Sequence, residues 1–400
     1  MRPVRNALPA VLVLEDGMAF SGSGLGADAT SVGEVCFNTG MTGYQEVLTD
    51  PSYHGQIVAM TAPQMGNTGV NPADEQSARP HVSGFAVRDA SVEVSSWRAT
   101  GSLDRYLEAH GIPGIAGLDT RRLTRHLRSA GALRGALSTQ GVAADELVDR
   151  ARAFDYHHRD LVAEVSTPAP YVWNRSELEA RAAGGYVAGA EPWAATRARL
   201  AAHAGRPTIR VAALDLGIKT NSLDLLSAVG CTVTVWPAST PASQILEGGF
   251  DALFLSNGPG NPESVGYAVT TVRALLGRVP IFGICLGHQI LALALGARTY
   301  KLAFGHRGSN HPVRRAGSDR IEITCQNHGF AVDAESLAAT GARLTHINLN
   351  DHTVEGLEAD RSAFGVQYHP EAGPGPHDSR YLFERLRRLV ESFTEGAYSS

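Results

Sequence analysis

Apolar positions in the second half of the chain form short continuous runs that alternate with segments of helical spacing. Continuous apolar strands that alternate with helices are typical of a mostly parallel sheet covered by helices. Residues 208–400 are therefore predicted to form an α/β domain. Strands are predicted at 208–215, 231–236, 252–255, 279–284 and 364–369, and helices at 221–228, 263–276, 286–295 and 380–393.

The first half, residues 1–171, has short apolar runs separated by turn residues and two capped helical segments, which predict a mixed α+β domain. Its strands are predicted at 10–14, 33–37, 56–62 and 81–87, and its helices at 102–110 and 119–129. Residues 172–207 are rich in Ala and Arg and predict an elaborated linker. Short helices are expected there at 176–183 and 193–204.

The composition is that of an ordinary soluble protein, with 43% apolar and 19% charged residues and a formal net charge of −5 over 400 residues. The mild acidity argues against a nucleic-acid-binding protein. No apolar stretch reaches the roughly 20 residues that span a bilayer, and the run at 9–14 is too short for a secretory signal. A cytoplasmic protein is expected.

The four cysteines, Cys36, Cys231, Cys285 and Cys325, are widely spaced and include no Cys-x-x-Cys pair. Neither a zinc site nor a disulfide framework is indicated. A lone cysteine is more often a small buried apolar residue than a nucleophile, so a structural role is the starting interpretation for each.

Cys285 differs because it stands in Gly283-Ile-Cys-Leu-Gly287, between an apolar strand and an apolar helix. This spacing is typical of a strand-to-helix turn that presents a nucleophile, where small neighbours allow the strand and helix to approach. A helix N-terminus lowers a thiol pKa, and the amide of Leu286 can stabilise an oxyanion. On this pattern alone, a buried cysteine in a glycine-rich turn is an equal alternative.

A thiol nucleophile needs a base and a group that orients the base. Gln367-Tyr-His369-Pro-Glu371 follows a predicted strand, and its histidine and glutamate are spaced to project to the same side. The imidazole can take the thiol proton while the carboxylate fixes its tautomer. Packing or hydrogen bonding is expected of His288, and hydrogen bonding in polar loops is expected of the three other rival bases: His306, His311 and His328.

Longer segments carry a resemblance to a known family. The run from Gly283 to Gln289, with the downstream His369-Pro-Glu371, resembles the class I, or triad, glutamine amidotransferases. Four further segments are similar to the small subunits of carbamoyl-phosphate synthases, over nearly the whole length of the chain. They are 34–53, 117–121, 304–312 and 326–330. Thr220 and Ser222, beside Asn221, depart from the family's pattern.

The resemblance implies a mechanism. Cys285 would form a γ-glutamyl thioester and expel ammonia, with His369 as base and acid and Glu371 orienting it. The amides of Gly260 and Leu286 would stabilise the oxyanion. The positions that match the family's L-glutamine contacts are Ser52, Gly258, Gly260, Leu286, Gln289, Asn327, Gly329 and Phe330. Considered without the resemblance, Ser52 is a turn residue.

The resemblance also implies a partner. The sequence contains neither a phosphate-binding Gly-Lys-Ser/Thr loop nor a clear magnesium-binding carboxylate cluster, so no cofactor and no metal are expected in this chain. ATP and Mg are expected on a large synthetase subunit, bound in a heterodimer or higher oligomer through the N-terminal domain. That complex would make carbamoyl phosphate for pyrimidine and arginine biosynthesis.

Two alternatives remain open at this point. The glutaminase could serve a different acceptor in a secondary pathway, which co-purification of the partner would decide. The chain could also be a degenerate, non-catalytic subunit, an interpretation that the presence of Cys285, His369 and Glu371 disfavours.

Overall fold

The computed structural model describes residues 8–174, 176, 179, 198–199, 201–203, 205–360, 362–373 and 375–397. The chain divides into two compact units. The first contains residues 1–159 and 303–308, and the second contains residues 160–302 and 309–400. Residues 303–308 pack with the first unit, where the amide of Ala132 donates to the carbonyl oxygen of Ala303 at 2.7 Å and Phe304 stacks on Phe37.

The first unit is built on a closed barrel in the strand order β1-β2-β8-β6-β4-β3-β9. Strand β1 pairs with both β2 and β9, which closes the barrel and leaves no open edge. Leu12, Leu14, Ile57 and Leu137 fill part of its core. The strands of this unit are β1 Pro9–Leu14, β2 Ala19–Gly26, β3 Thr30–Asn38, β4 Gln56–Met60, β5 Gln64–Met65, β6 Gly84–Ala86, β7 Asp89–Ala90, β8 Pro113–Ala116 and β9 Leu133–Ser138.

Four helices accompany the barrel, and two of them have the side-chain caps that the sequence predicted. The side chain of Ser102 accepts from the amide of Arg105, and that of Asp119 accepts from the amide of Arg122. The helices predicted at 102–110 and 119–129 are thus confirmed. The set is α1 Tyr44–Thr49, α2 Leu103–Ala109, α3 Thr120–Ala130 and α4 Ala144–Ala153, with a 3-10 helix at Pro51–Tyr53.

The second unit is a ten-stranded sheet in the order β10-β12-β11-β13-β14-β19-β18-β17-β15-β16. Five neighbouring strands of this sheet are parallel and mostly apolar, as predicted: β12, β11, β13, β14 and β19. The strands are β10 Tyr171–Trp173, β11 Ile209–Asp215, β12 Cys231–Pro237, β13 Ala252–Leu255, β14 Ile281–Ile284, β15 Thr299–Arg315, β16 Ile321–Val332, β17 Arg343–Asn348, β18 Val354–Ala359 and β19 Ala363–Val366.

The helices of this unit follow the predicted strand and helix alternation. They are α5 Thr220–Ala228, α6 Ala242–Glu247, α7 Gly266–Leu275, α8 Leu286–Leu295, α9 Ala334–Ala339 and α10 Tyr381–Ala397, and a 3-10 helix at Pro262–Val265 precedes α7. The helix predicted at 263–276 is therefore two elements. Among the described residues, no helix has both the length and the apolar content to cross a bilayer.

Three boundaries differ from the sequence prediction. The first unit ends at Arg159 rather than 171, because Val162 already packs in the core of the second unit. Tyr171–Trp173 is an edge strand that pairs antiparallel with β12, so residues 172 and 173 belong to the sheet rather than to a linker. Most of 174–207, including most of the two short helices predicted there, lies outside the described residues, and residues 176, 179, 198–199 and 201–202 are helical. Strand β19 ends at Val366, which leaves His369 beyond the carboxyl end of the sheet.

A buried ion pair stabilises the first unit. Arg307, which is 4% exposed, lies 3.8 Å from the carboxylate of Glu34, and it donates to the carbonyl oxygen of Phe304 at 2.9 Å. The side chain of Gln56 donates to the same carboxylate at 2.9 Å and to the hydroxyl of Tyr156 at 3.0 Å. The network therefore holds the 303–308 segment against the barrel.

Replacement of Arg307 by methionine should leave Glu34 buried without its cation. Loss of one partner of a buried pair lowers the free energy of unfolding by about 3–5 kcal/mol. Urea unfolding measures the change, and Arg298→Met, at an ion pair with a highly exposed guanidinium, is the control with little expected effect. Equal stability of the two variants would show that the buried pair contributes nothing.

Candidate active site

Cys285 occupies a sharp turn between strand β14 and helix α8. Its backbone has φ 53° and ψ −105°, a conformation that L-residues with side chains rarely adopt. Its amide donates to the carbonyl oxygen of Val366 at 2.8 Å, which ties the turn to the neighbouring parallel strand. The sulfur is therefore held at the carboxyl end of the sheet, where ligand sites of α/β domains occur.

The two glycines around Cys285 are required by the close approach of backbone on either side. A Cβ at Gly283 would lie 2.6 Å from the carbonyl oxygen of Gly287, and a Cβ at Gly287 would lie 2.3 Å from the carbonyl oxygen of Leu255. Both contacts are with main-chain atoms that cannot move aside easily. The Gly-x-Cys-x-Gly spacing thus reports a real steric constraint in this fold.

Cys285 is 2% exposed, and two other residues contact its sulfur. Its sulfur lies 3.6 Å from the carbonyl oxygen of Asn327 and 3.7 Å from the side-chain nitrogen of Gln367. Gln367, which the sequence reasoning missed, is oriented by Gln289, whose amide nitrogen donates to its carbonyl oxygen at 3.0 Å. Its own N–H groups are thereby directed to the sulfur.

Gln289 also donates to the carbonyl oxygen of Phe330 at 2.8 Å. Both hydrogens of its side-chain amide are therefore committed to Phe330 and Gln367. The oxygen is the group that remains for a ligand, so Gln289 is suited to accept a hydrogen bond from an ammonium group rather than to donate one to a carboxylate.

His369 and Glu371 lie in the loop after strand β19 and are almost fully buried. Nδ1 of His369 is 2.7 Å from Oε1 of Glu371, and the amide of His369 donates to the carbonyl oxygen of Cys325 at 2.9 Å. The carboxylate selects the tautomer with the proton on Nδ1, so Nε2 is the nitrogen free to act as a base.

The electrostatics of this cluster favour proton transfer to the imidazole. Burial and then Lys219 lower the pKa of His369, but Glu371 and Cys285 outweigh them, and the pKa lies well above its ordinary value. Nε2 has no hydrogen bond of good geometry among the described residues. Catalytic hydrogen bonds often tighten only when substrate binds.

Lys219 is a further member of the cluster that the sequence reasoning did not identify. Its ammonium lies 2.6 Å from Oε1 of Glu371 and 3.1 Å from Nδ1 of His369, and the residue is 5% exposed. Burial raises the pKa of Glu371, but Lys219 and then His369 outweigh it and hold that pKa at about 2. The carboxylate therefore stays ionised at any pH where the enzyme would work.

The loop that carries Lys219 is built by hydrogen bonds at the end of strand β11. The side chain of Asp215 accepts from the amides of Gly217 and Ile218 at 3.0 and 2.8 Å. The side chain of Asn257 donates to the carbonyl oxygen of Gly217 at 2.9 Å. A lysine in the short loop after an apolar strand is the sequence signal that could have revealed this residue.

The other residues expected to bind glutamine lie on several different elements. Gly258 packs closely against Leu216 and Leu286. A Cβ there would lie 2.0 Å from the carbonyl oxygen of Leu216 and 2.9 Å from the side chain of Leu286. Gly260 has φ 86° and packs near Leu161. Strand β16 carries Asn327, Gly329 and Phe330. Ser52 belongs to the first unit, in the 3-10 helix Pro51–Tyr53, and its role toward glutamine stays a prediction.

The rival histidines have other surroundings. His288 is fully buried, and burial lowers its pKa to about 3, so it is neutral. His328 is bonded to the carbonyl oxygen of Phe330 and to the side chain of Gln326. The expectation that His306, His311 and His328 lie in polar loops is wrong, because the long antiparallel strands β15 and β16 contain them.

The remaining cysteines are free thiols outside the turn. Burial raises the pKa of Cys36 to about 11 and that of Cys231 to about 12, and burial also raises the pKa of Cys325. All three are therefore protonated at neutral pH and weakly nucleophilic.

Two family models match the two halves of this chain. The family "Carbamoyl-phosphate synthase small chain, CPSase domain" matches residues 12–137, and "Glutamine amidotransferase class-I" matches residues 212–389. A carbamoyl phosphate synthase small chain from Syntrophotalea carbinolica is 52% identical over 386 residues, covering 96% of this chain and 98% of its own. The chain belongs to the carbamoyl-phosphate synthase small chain family.

A second relative fits this assignment. A carbamoyl phosphate synthase small chain from Synechocystis is 49% identical over 391 residues, covering 97% of each chain. The solved structure of a glutamine amidotransferase from Thermotoga maritima covers 48% of this chain and 86% of its own, with 19% identity and a TM-score of 0.33. For this small chain family member, the predicted α/β fold class with a class I glutamine amidotransferase domain is confirmed.

Removal of the Lys219 charge should destabilise the site in a pH-dependent way. Lys219→Met leaves Glu371 buried without its ammonium partner, which should cost about 3–5 kcal/mol of unfolding free energy at neutral pH. Because the pKa of Glu371 in the folded wild type is depressed to about 2, its stabilisation is present above the unfolded pKa and is lost as pH falls toward 2.

Unfolding of both proteins between neutral pH and pH 2 therefore checks the assignment. The stability difference should shrink as the solution becomes acidic, since protonation of the carboxyl abolishes the pair. A difference that stays constant across this range would show that Lys219 acts through packing rather than through Glu371.

Proposed function

We propose that this chain hydrolyses L-glutamine through Cys285, His369 and Glu371 and supplies ammonia to a large synthetase subunit that makes carbamoyl phosphate. One observation carries the proposal. A cysteine in a strained strand-to-helix turn lies at the same end of the parallel sheet of a class I amidotransferase domain as a buried histidine–glutamate pair, and the cysteine raises the pKa of that histidine.

The first half of the reaction forms a thioester. His369 Nε2 takes the thiol proton, and the sulfur of Cys285 attacks the side-chain carboxamide carbon of glutamine. The tetrahedral intermediate carries negative charge on oxygen, which the amides of Leu286 and Gly260 are proposed to stabilise. The imidazolium then gives its proton to the departing nitrogen, the carbon–nitrogen bond breaks, and ammonia leaves.

The second half regenerates the enzyme. The imidazole removes a proton from water, the hydroxide attacks the γ-glutamyl thioester, and the carbon–sulfur bond breaks. Glutamate leaves, and the thiol recovers its proton from His369. Glu371, held ionised by Lys219, stabilises the positive charge that forms twice on the imidazole.

Substrate recognition is proposed to use the residues around this centre. The oxygen of Gln289 would accept from the α-ammonium group, since its N–H groups are already committed. The main chain of Gly258, Gly329 and Phe330, with the side chain of Asn327, would complete the glutamine site. Ser52 would contribute from the N-terminal domain.

The acceptor chemistry is proposed to reside on the partner. Free ammonia becomes protonated in water and loses its nucleophilicity, so it is best delivered through a tunnel within a complex. The large subunit would bind ATP and Mg and use bicarbonate, in a heterodimer or an oligomer of heterodimers in the cytoplasm. The product would serve pyrimidine and arginine biosynthesis. The full-length similarity to proteins called small chains supports this assembly.

Cys285→Ser should abolish glutaminase activity, because a serine hydroxyl ionises far less readily than a thiol. A glutamine-like chloroketone should alkylate the wild type at one cysteine, found by peptide mass spectrometry, and should not label Cys285→Ser. Cys325→Ser is the matched control and should keep both activity and labelling. Full activity in Cys285→Ser would exclude a nucleophilic role.

The partner assignment is tested by mixing this chain with the cognate large subunit. Size-exclusion chromatography should show a stable complex, and glutamine should then support carbamoyl phosphate synthesis with ATP and bicarbonate. Cys285→Ser should form the same complex and use added ammonia but not glutamine. Absence of a complex at micromolar concentration would contradict the proposal.

A further inference from the structure

A pocket in the second unit is lined by none of the residues assigned to glutamine hydrolysis. It has a volume of about 160 Å³ and is formed by the end of strand β15, by strands β17 and β18, and by helix α10. The residues around it are mostly basic or polar: Arg315, Ala316, Arg343, Thr345, His346, Glu358 and Arg385. None of them has a part in the proposed hydrolysis.

The charges around this pocket are unbalanced. Three guanidinium groups face one carboxylate, and Glu358 is ion-paired with Arg343 and, at 3.1 Å, with Arg385. Arg315 has no carboxylate within ion-pairing distance among the residues the structure describes. The residues that line the pocket therefore carry a net positive charge.

The inner wall of the pocket is rigid. Thr345 and His346 are buried, and the threonine hydroxyl lies 2.9 Å from Nδ1 of the imidazole. The imidazole ring packs edge-on against Tyr368 with 5.7 Å between centroids. The guanidinium of Arg385 stacks over the ring of Phe364 at 4.2 Å. A ligand would meet groups that are already in place, so little ordering cost would oppose binding.

The charge state of His346 reflects the same positive potential. Burial first, and then the positive charges of Arg315 and Arg385, lower the pKa of His346 to about 3. The imidazole is neutral at pH 7, and its two nitrogens lie within hydrogen-bonding distance of the hydroxyls of Thr345 and Tyr381. The arginines are thus close enough to act on one another and on the pocket wall.

We propose that this pocket binds the phosphate group of a small anionic ligand. A dianion would offset the excess charge of the three arginines, and the planar guanidinium group matches phosphate oxygens through paired N–H donors. The volume is smaller than the roughly 300 Å³ or more of pockets that enclose drug-sized ligands. The pocket therefore suits a phosphate group with the remainder of the ligand outside it.

Titration of the full-length chain with inorganic phosphate tests this inference by calorimetry, with chloride as the background anion. The wild type should show saturable binding. Arg315→Gln should weaken it by about tenfold, the cost of one charge-assisted hydrogen bond, without breaking a described ion pair. Glu358→Gln should tighten binding, because it releases two arginines and removes the opposing charge.

Arg314→Gln is the matched control. It removes the same charge from the adjacent strand position, which does not line the pocket. Phosphate affinity should change little in this variant, and thermal unfolding should show that all variants fold. Absence of saturable binding by the wild type, or equal weakening in Arg314→Gln and Arg315→Gln, would overturn the proposal by showing that only general surface charge attracts phosphate.

Discussion

The backbone conformation at Cys285 is the constraint on which the site depends. A left-handed φ with a side chain is unfavourable, and it persists only where the surrounding structure enforces it. Here the hydrogen bond from the amide of Cys285 to the carbonyl oxygen of Val366 holds the turn in place, together with the close packing of Gly283 and Gly287. The strained residue is the one whose thiol lies at the carboxyl end of the sheet and at the start of a helix.

The histidine proposed to act on this thiol belongs to a buried charge cluster. Lys219, His369 and Glu371 come from two separate loops, and each is almost completely removed from water. A carboxylate in such a place is stable only beside cations, and a protonated imidazole is stable only beside an anion. The lysine therefore keeps the carboxylate ionised, and the carboxylate raises the basicity of the imidazole.

The first unit of this small chain family member is stabilised by barrel closure and by a buried ion pair. Its barrel closes on itself and leaves no unpaired edge, and a segment from much later in the chain, 303–308, is held in it by the buried Arg307–Glu34 pair. The two units are thus not consecutive halves of the sequence. A strand of the amidotransferase half, β15, contributes to both.

Much of this molecule was readable from sequence because its signals are local. The parallel strands are continuous apolar runs, the caps of α2 and α3 are single residues, and the Gly-x-Cys-x-Gly spacing records a steric requirement within five positions. The antiparallel strands β15 to β18 escaped prediction. In β16, for example, exposed and buried positions alternate only at residues 321–324, and polar residues fill many of the buried positions that follow, so no long apolar run marks the strand.

The sequence by itself determined the fold class, the turn that carries Cys285 and the histidine–glutamate pair, because each depends on neighbours only a few residues away. The tertiary structure alone decided that Lys219 joins that pair, that Gln367 turns its amide to the sulfur, and that residues 303–308 belong to the first unit. Burial and charge compensation act between residues that are distant in the chain. No local pattern records which buried lysine will meet which buried carboxylate.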